Sequence, residues 1–387
     1  MKILAIETSC DDTAISIVEM KGDNLPTFTV LAHLVSSQTK IHAEFGGVVP
    51  NLAKREHSKN IVPLIIEALT KTGLDTSNSN KISDDKILKI KEILSHSTDL
   101  TDLFLSTIPT NPPKDIDAIA VTEGPGLEPA LWVGINVAEA LAVLWSKPLI
   151  PVNHLEGHLV SSLIDEPDIS LPALGLVISG GHTEMILIKA WGQYEKIGST
   201  RDDACGEAFD KVARLLDLPY PGGPKISELA KLAREQNIIE PNFNLPRPMI
   251  KSNDYDFSFS GLKTAVRYAL AKETIPLSDE TKKAMARQFE DAVVEVLITK
   301  TKTALNNHQV KSLILGGGVV ANEFLRQEMT KLITSNFPDL KLHLPDYNLA
   351  TDNAVMIAIA ALLQLKNKSL GTNFPSNQIK AQGNLSL

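Results

Sequence analysis

The sequence predicts an α/β protein of two lobes, and three observations predict it. Short apolar runs alternate with stretches of helical periodicity in both halves of the chain. The opening pattern ILAIETSCDDTAISIV has an echo in LGLVISGGHTEMILI; each reads as strand, small or acidic loop, threonine, strand. Glycine-rich turns stand at strand ends, Gly124-Pro125-Gly126 in the first half and Gly316-Gly317-Gly318 in the second. A ligand is expected in a cleft between the lobes, near such turns.

The elements follow in order. Residues 2–6 form an apolar run that fits a buried strand, 9–12 a polar turn, and 13–18 a second strand with alternating character. Residues 28–35 fit a third, and 50–69 show helical periodicity starting at a proline. Residues 75–112 hold SNSNK, a short amphipathic segment and STIPTNPP, with little to build a core; they read as an inserted, partly helical excursion. A strand at 116–121, an apolar helix ending at Trp145 and a short strand at 148–152 complete the first half. The echo supplies strands at 173–178 and 183–188. Helices are expected at 203–216, 225–234, 261–271, 279–304, 322–334 and 351–366, with strands at 311–315 and 341–344. The expected lobes are 1–151 and 152–350, with 351–366 packing back on the first lobe and 367–387 as a polar, frayed tail.

Composition narrows the function. A chain of 387 residues with 43% hydrophobic and 22% charged residues can bury a core without staples, and its two cysteines suit a reducing compartment. A formal net charge of -8 argues against a basic nucleic-acid coat, though not against a local basic patch, and 5% aromatics argue against an extended base-stacking platform. No signal-like segment is expected, since Glu7, Asp11 and Asp12 interrupt the N-terminus. The most apolar stretch, 129–145, carries Asn136 and Glu139 and reads as a buried helix rather than a membrane span. A cytoplasmic protein is the expectation.

Candidate chemistry concentrates in a few places. His154 and His158 in Asn-His-Leu-Glu-Gly-His lie at i and i+4, so on a helix both imidazoles share a face and can reach one metal. Leu155, not a glutamate, follows the first histidine, which disfavours a zincin-type protease. Asp352 is a candidate third ligand, and equally a candidate helix cap. The loop Ser179-Gly180-Gly181-His182, the turn Pro221–Pro224 and the run around Gly317 could each admit a phosphate to backbone N–H groups, although neither a Walker A nor a GxGxxG pattern is present. Glu7, Asp11 and Asp12 flank the first turn, and Asp210 and Lys211 the helix after the second hairpin; such carboxylates can hold a ribose, position water or act as a base. Cys10 stands beside two acids and Cys205 inside a helix, both poor settings for a nucleophile.

Taken together, IETSCDDTAISIV, HAEFGGVVPNLAKREH, GPGL, VNHLEGH, ISGGHTEMILI, DDACGEAFDKVARLL, YPGGP, NLPRP, DFSFSGLKT, ARQFEDAVV, GGGVVANEFLR and TDNAVMIA run in order over nearly the whole chain. They resemble the TsaD family, formerly called O-sialoglycoprotein endopeptidases, and most closely its bacterial branch. The resemblance implies the actin-like (ASKHA) two-lobed ATPase fold, with duplicated mixed-sheet domains. It implies transfer of threonylcarbamoyl from threonylcarbamoyl-AMP to N6 of adenosine 37 in transfer RNAs reading codons that start with A, with release of AMP. ATP, ADP or AMP would bind the same cleft. It implies one divalent metal on His154, His158 and Asp352, with iron favoured and zinc the other candidate for such nitrogen and oxygen ligands. It implies adenylate contacts at Val177, Ile178, Ser179, Gly180, Gly181, His182, Asp210, Gly223, the Gly317 run and Asn322, and a role for Asp11 near the reacting group. Implied partners are the tRNA, a TsaB-like paralogue, a TsaE-like ATPase and a TsaC-like enzyme that supplies the adenylate, with no membrane. Lys54, Arg55 and the Arg247 region are candidates for the tRNA surface.

Four departures stand out. Asp12 takes the place of a common glutamate, Asn153 that of a common histidine, Cys205 that of a common alanine, and 75–112 looks inserted. Three competing readings stay open: a hydrolase or sugar kinase of the same fold, which would need no histidine metal site; a metalloprotease; and a non-catalytic nucleotide-binding scaffold.

Overall fold

In a computed structural model the chain is described over residues 1–22, 25–74, 82–113, 115–367 and 379–387. It divides into two units, Met1–Asp168 with Asp352–Leu387, and Ile169–Thr351. The first unit therefore keeps the segment after residue 151, histidine pair included, and the expected boundary moves to Asp168. The helix Ala354–Asn367 does return to the first unit, because it packs on the first two strands of that unit's sheet.

Each unit is built on one five-stranded mixed sheet. In the first, β1 (Lys2–Glu7), β2 (Asp12–Lys21) and β3 (Thr27–Ser37) form an antiparallel meander, and β4 (Ala118–Gly124) and β5 (Leu149–Asn153) add in parallel on the other side of β1, giving the order β3-β2-β1-β4-β5. In the second, β6 (Ala173–Ile178), β7 (Thr183–Ala190) and β8 (Gln193–Ser199) repeat the meander, and β9 (Ser312–Gly316) and β10 (Lys341–His343) repeat the parallel pair. One topology is used twice, the duplicated mixed-sheet arrangement that the resemblance implies. The two hairpins that echo each other in sequence are β1–β2 and β6–β7. The sequence reading missed β8: its residues QYEKIGS are mostly polar because the strand lies at the sheet edge.

Burial on both faces explains the continuous apolar runs. Leu4, Ile6, Ile15 and Ile17 pack into one core with Ile61 and Ile65 of the helix Pro50–Thr72 and with the helix Glu128–Trp145. The helix Ala354–Asn367 covers β1 and β2 as well, and its residues 354–363 are all buried, as an all-round apolar sequence requires. In the second unit Leu174, Leu176 and Ile178 of β6 pack with Phe209, Phe257, Phe259 and Phe289.

The stretch 75–112 differs from its expectation. SNSNK lies outside the described residues, but the helices Asp84–Ile93, with its C-cap Leu94, and Thr98–Thr107 place Ile90, Leu94, Leu100 and Phe104 in the core of the first unit. Lys86 Nζ donates to Leu144 O at 2.8 Å, and Trp145 Nε1 donates to Pro109 O at 2.9 Å, tying the segment to the helix Glu128–Trp145. The expected frayed tail is corrected too, where it is described. Gln382 N donates to Glu123 O at 2.8 Å, Gly126 N to Gly383 O at 3.2 Å, and Asn153 Nδ2 to Ser386 O at 3.2 Å. Gly124 permits this approach: at φ +155°, a Cβ there would lie 2.0 Å from Gln382 O.

A core role for the segment has a direct test. Phe104 is fully buried, so Phe104→Ala should cost about 3–5 kcal/mol, read as an earlier denaturant midpoint of the first unit. A loss below about 1 kcal/mol would show a surface appendage instead.

Candidate metal centre and nucleotide pocket

The candidate metal centre lies within the first unit. β5 ends at Asn153, which is extended (φ -76°, ψ 125°) and accepts Leu155 N–H at 2.9 Å through its side chain, capping the helix His154–Val160. A residue that starts this helix, rather than a further ligand, is what Asn153 supplies. The helix puts His154 and His158 on one face, rings edge-on with centroids 4.6 Å apart. Gly157 lies between them at a close crossing: a Cβ there would meet Met356 Cγ at 3.0 Å and Ile357 Cδ1 at 3.1 Å. The missing side chain lets the start of the helix Ala354–Asn367 approach. Asn353 caps that helix by accepting Met356 N–H at 3.0 Å, which leaves Asp352 free of the capping role and facing the histidines.

Asp352 Oδ1 is 3.4 Å from His154 Nε2 and 3.3 Å from His158 Nε2, and one ligand atom from each residue lies within 4.8 Å of the others. Two ligands of one ion, each about 2.0–2.1 Å from it at a tetrahedral angle, stand about 3.3 Å apart. Both nitrogens of His158 are buried with no hydrogen-bond partner among the described residues, Nε2 facing Asp352 Oδ1 at 3.3 Å outside hydrogen-bond geometry. A buried orphan imidazole facing a carboxylate is what a ligand set leaves when its cation is taken away. The residues therefore fit a divalent cation.

The surroundings orient the set. His154 Nδ1 lies 3.0 Å from Glu7 Oε2 and 3.2 Å from Ser9 Oγ, so Nδ1–H points to the carboxylate and Nε2 faces Asp352. Glu7 is fully buried; it also accepts Thr122 Oγ1–H at 2.6 Å and Ser9 N–H. Burial alone would lower the His154 pKa, but Asp352 and Glu7 outweigh it and push it up to about 10. Burial would raise both carboxylates, yet the imidazole beside them holds Glu7 and Asp352 below the usual carboxylate range. Burial lowers the His158 pKa, leaving that ring neutral and ready to ligate. Without a cation, a proton on His154 thus stands in for part of the missing positive charge.

Asp11 occupies the β1–β2 turn of the same unit. Burial raises its pKa, and the negative charge of Asp352 raises it further. Asp12 begins β2 and is pushed up to about 7 by burial. Burial also raises both thiols, which removes Cys10 and Cys205 as nucleophiles.

The second unit holds a cavity of about 770 Å³. Gly180, Asp210, Gly223 and Asn322 of the sequence-derived set line it. Val177 and Ile178 are the buried last two residues of β6, and Ser179 and His182 close the following turn through Ser179 N–H to His182 O at 2.8 Å and His182 N–H to Ser179 Oγ at 3.0 Å. Gly181 lies in the same turn. Gly317 sits behind that turn: at φ +94°, a Cβ would lie 2.4 Å from Ile178 O. Asp210 accepts Gly222 N–H at 2.7 Å, which seats the helix Gly222–Glu235 against the helix Cys205–Leu215.

Sequence reasoning missed the far wall of the cavity. Arg234 lies 3.6 Å over the Phe324 ring and donates to Glu290 and Asp291. Glu290, almost fully buried, also accepts Asn322 Nδ2–H at 2.6 Å. These residues are scattered over three helices, and although Glu290 and Phe324 fall inside family motifs, no local pattern pairs them with Arg234, so the fold alone assembles the wall.

The family model described as TsaD, tRNA N6-adenosine threonylcarbamoyltransferase, matches residues 29–83 and 96–359. The chain belongs to this family. A tRNA N6-adenosine threonylcarbamoyltransferase of Staphylococcus haemolyticus is 41% identical over 359 residues, covering 93% of this chain and 90% of the relative. Those of Burkholderia ambifaria and Ralstonia pickettii are each 40% identical, covering 94% and 95% of this chain and 92% of each relative. Membership makes the chain a transferase of tRNA modification. The family match omits residues 84–95, so the stretch outside the family pattern is narrower than 75–112 and coincides with the helix Asp84–Ile93 and its following turn.

Proton linkage tests the metal centre. Because His154 holds its proton up to a pH of about 10, a cation must displace it. Cation binding at pH 7.5 should release about one proton, and affinity should fall about tenfold for each unit of falling pH. Calorimetry in buffers of different ionisation enthalpy measures this, and release of no proton would mean that His154 is not a ligand. His158→Ala and Asp352→Ala should each lower bound metal, measured by elemental analysis, at least tenfold.

Proposed function

We propose that this chain transfers threonylcarbamoyl from threonylcarbamoyl-AMP to N6 of adenosine 37 of tRNA, using the residues described above. The observation that carries the reading is the convergence of His154, His158 and Asp352 in the unit that also holds Asp11, in a chain of this family. His154, His158 and Asp352 would hold one divalent cation, with iron favoured over zinc. That cation, when bound, supplies positive charge for an oxygen of the acyl-adenylate.

The chain's own residues do the rest. Glu7 fixes the ring of His154 through Nδ1. In the second unit Asp210, Gly223, Asn322 and the backbone of residues 177–182, backed by Gly317, hold the adenylate, and the cavity of about 770 Å³ is large enough for it. The N6 amine is a weak nucleophile because its lone pair is delocalised into the ring. It attacks the carbamoyl carbon, the new N–C bond forms, and the bond from that carbon to the phosphate oxygen breaks to release AMP. The proton lost from N6 goes to Asp11, directly or through a water. Burial and the neighbouring Asp352 raise the Asp11 pKa and so make it a better base than an exposed aspartate.

Lys54, Arg55 and the Arg247 region are the proposed tRNA contacts, and TsaB-, TsaE- and TsaC-like proteins the proposed partners. No described helix is long and apolar enough to cross a membrane, and we place the reaction in the cytoplasm. Asp11→Asn should lower single-turnover formation of the modified adenosine by about 10²–10⁴-fold with metal content unchanged. Mass spectrometry of the digested tRNA reads the product, and a rate within threefold of the parent would remove Asp11 from the mechanism.

A further inference from the structure

His42 and His57 are both fully buried, and the reaction described above uses neither. They open and close the stretch HAEFGGVVPNLAKREH, and His57 lies on the helix Pro50–Thr72. His57 Nε2 is 3.0 Å from Cys10 O, and a carbonyl oxygen only accepts, so Nε2 carries the hydrogen. A neutral ring then has a lone pair on Nδ1, and Thr13 Oγ1, 2.7 Å away, must donate to it. Burial lowers the His57 pKa, in keeping with a neutral ring. Cys10 and Thr13 bracket Asp11 and Asp12, so one imidazole clasps both ends of the acidic turn.

A second chain reaches the same turn from β3. Gln38 N–H donates to Asp11 O at 3.0 Å. Val49 N–H donates to His42 Nδ1 at 3.3 Å, so His42 Nε2–H donates to Gln38 Oε1 at 3.1 Å, and Gln38 Nε2 donates to Ala53 O at 3.4 Å. Every donor and acceptor in this network has one consistent assignment. Gln38, His42, His57 and Thr13 are all buried, so water cannot replace these bonds.

We infer that His57 is a positioning residue for the transfer reaction, holding the Cys10–Thr13 turn so that the Asp11 carboxylate keeps its place beside the reacting amine. The inference rests on the proposed role of Asp11. Its test compares His57→Ala, His57→Gln and Thr13→Val with the parent in single-turnover transfer, using the metal-loaded enzyme in its complete modification system. His57→Ala should slow transfer about 100-fold, the usual cost of a catalytic group displaced by about an ångström. Apparent KM values for adenylate and tRNA should stay within about threefold, and metal content should not change. His57→Gln keeps a donor for Cys10 O and should recover to within about tenfold of the parent. Thr13→Val keeps shape and loses only the hydroxyl, so it decides the matter if His57→Ala does not fold. In an Asp11→Asn background, His57→Ala should cause no further loss, because a positioning residue has nothing left to position. Parent-like rates in both His57→Ala and Thr13→Val would overturn the inference, as would losses that multiply in the double variant. An active Asp11→Asn variant would instead remove the proton acceptor itself, a result distinguishable from an inactive Asp11→Asn beside an active His57→Ala.

Discussion

The structure of the first unit turns on a charge problem. Glu7 is fully buried and Asp352 is partly so, and both lie beside His154. Buried carboxylates are stable only where positive charge and hydrogen bonds compensate them. One imidazolium cancels one of these charges and leaves another. A divalent cation with both imidazoles neutral would cancel the two. The end of β1, the β5-to-helix corner and the entry to the helix Ala354–Asn367 therefore have a common electrostatic reason to meet where they do.

The duplicated topology gives each unit the same kind of location for chemistry. In the first unit the β1–β2 turn carries Asp11, and the parallel strands β4 and β5 end beside it at Gly124 and Asn153. In the second the β6–β7 turn carries Ser179–His182, and β9 ends at Gly316 before the turn through Gly317. Ligands in open α/β sheets gather at the carboxyl ends of parallel strands, where loops are free to vary without disturbing the core. One hairpin position has thus been given acidic residues and the other small ones.

Additions to the framework have become part of it. The helix Asp84–Ile93 lies outside the family pattern, yet Ile90 is fully buried in the first unit's core. The last residues of the chain pair with Glu123 and Gly126 and meet Asn153, the cap of the histidine-bearing helix. Both segments are polar enough to read as solvated, because only a few of their residues carry the packing and hydrogen bonds supply further ties, from the Lys86 ammonium to Leu144 O in one and between the backbones of Gln382 and Glu123 in the other.

By itself the sequence determined the local elements and the ligand types. Strand runs, helix periodicity and the i, i+4 histidines depend on spacing within one element, and spacing is legible without coordinates. The resemblance gave definite roles to Asp352, Asp210 and Gly223 of the Pro221–Pro224 turn, which their residues alone left ambiguous between caps, turns and ligands, and it added Asn322. Only tertiary structure decided the rest. It showed Asn353, not Asp352, capping the last helix; it put Glu7 against His154; it joined Arg234, Glu290 and Phe324 in one wall; and it closed His57 around the acidic turn. Each of those contacts links residues from separate elements, and no local pattern encodes such a pairing, because it arises from how sheets and helices pack rather than from the propensities of the residues that meet.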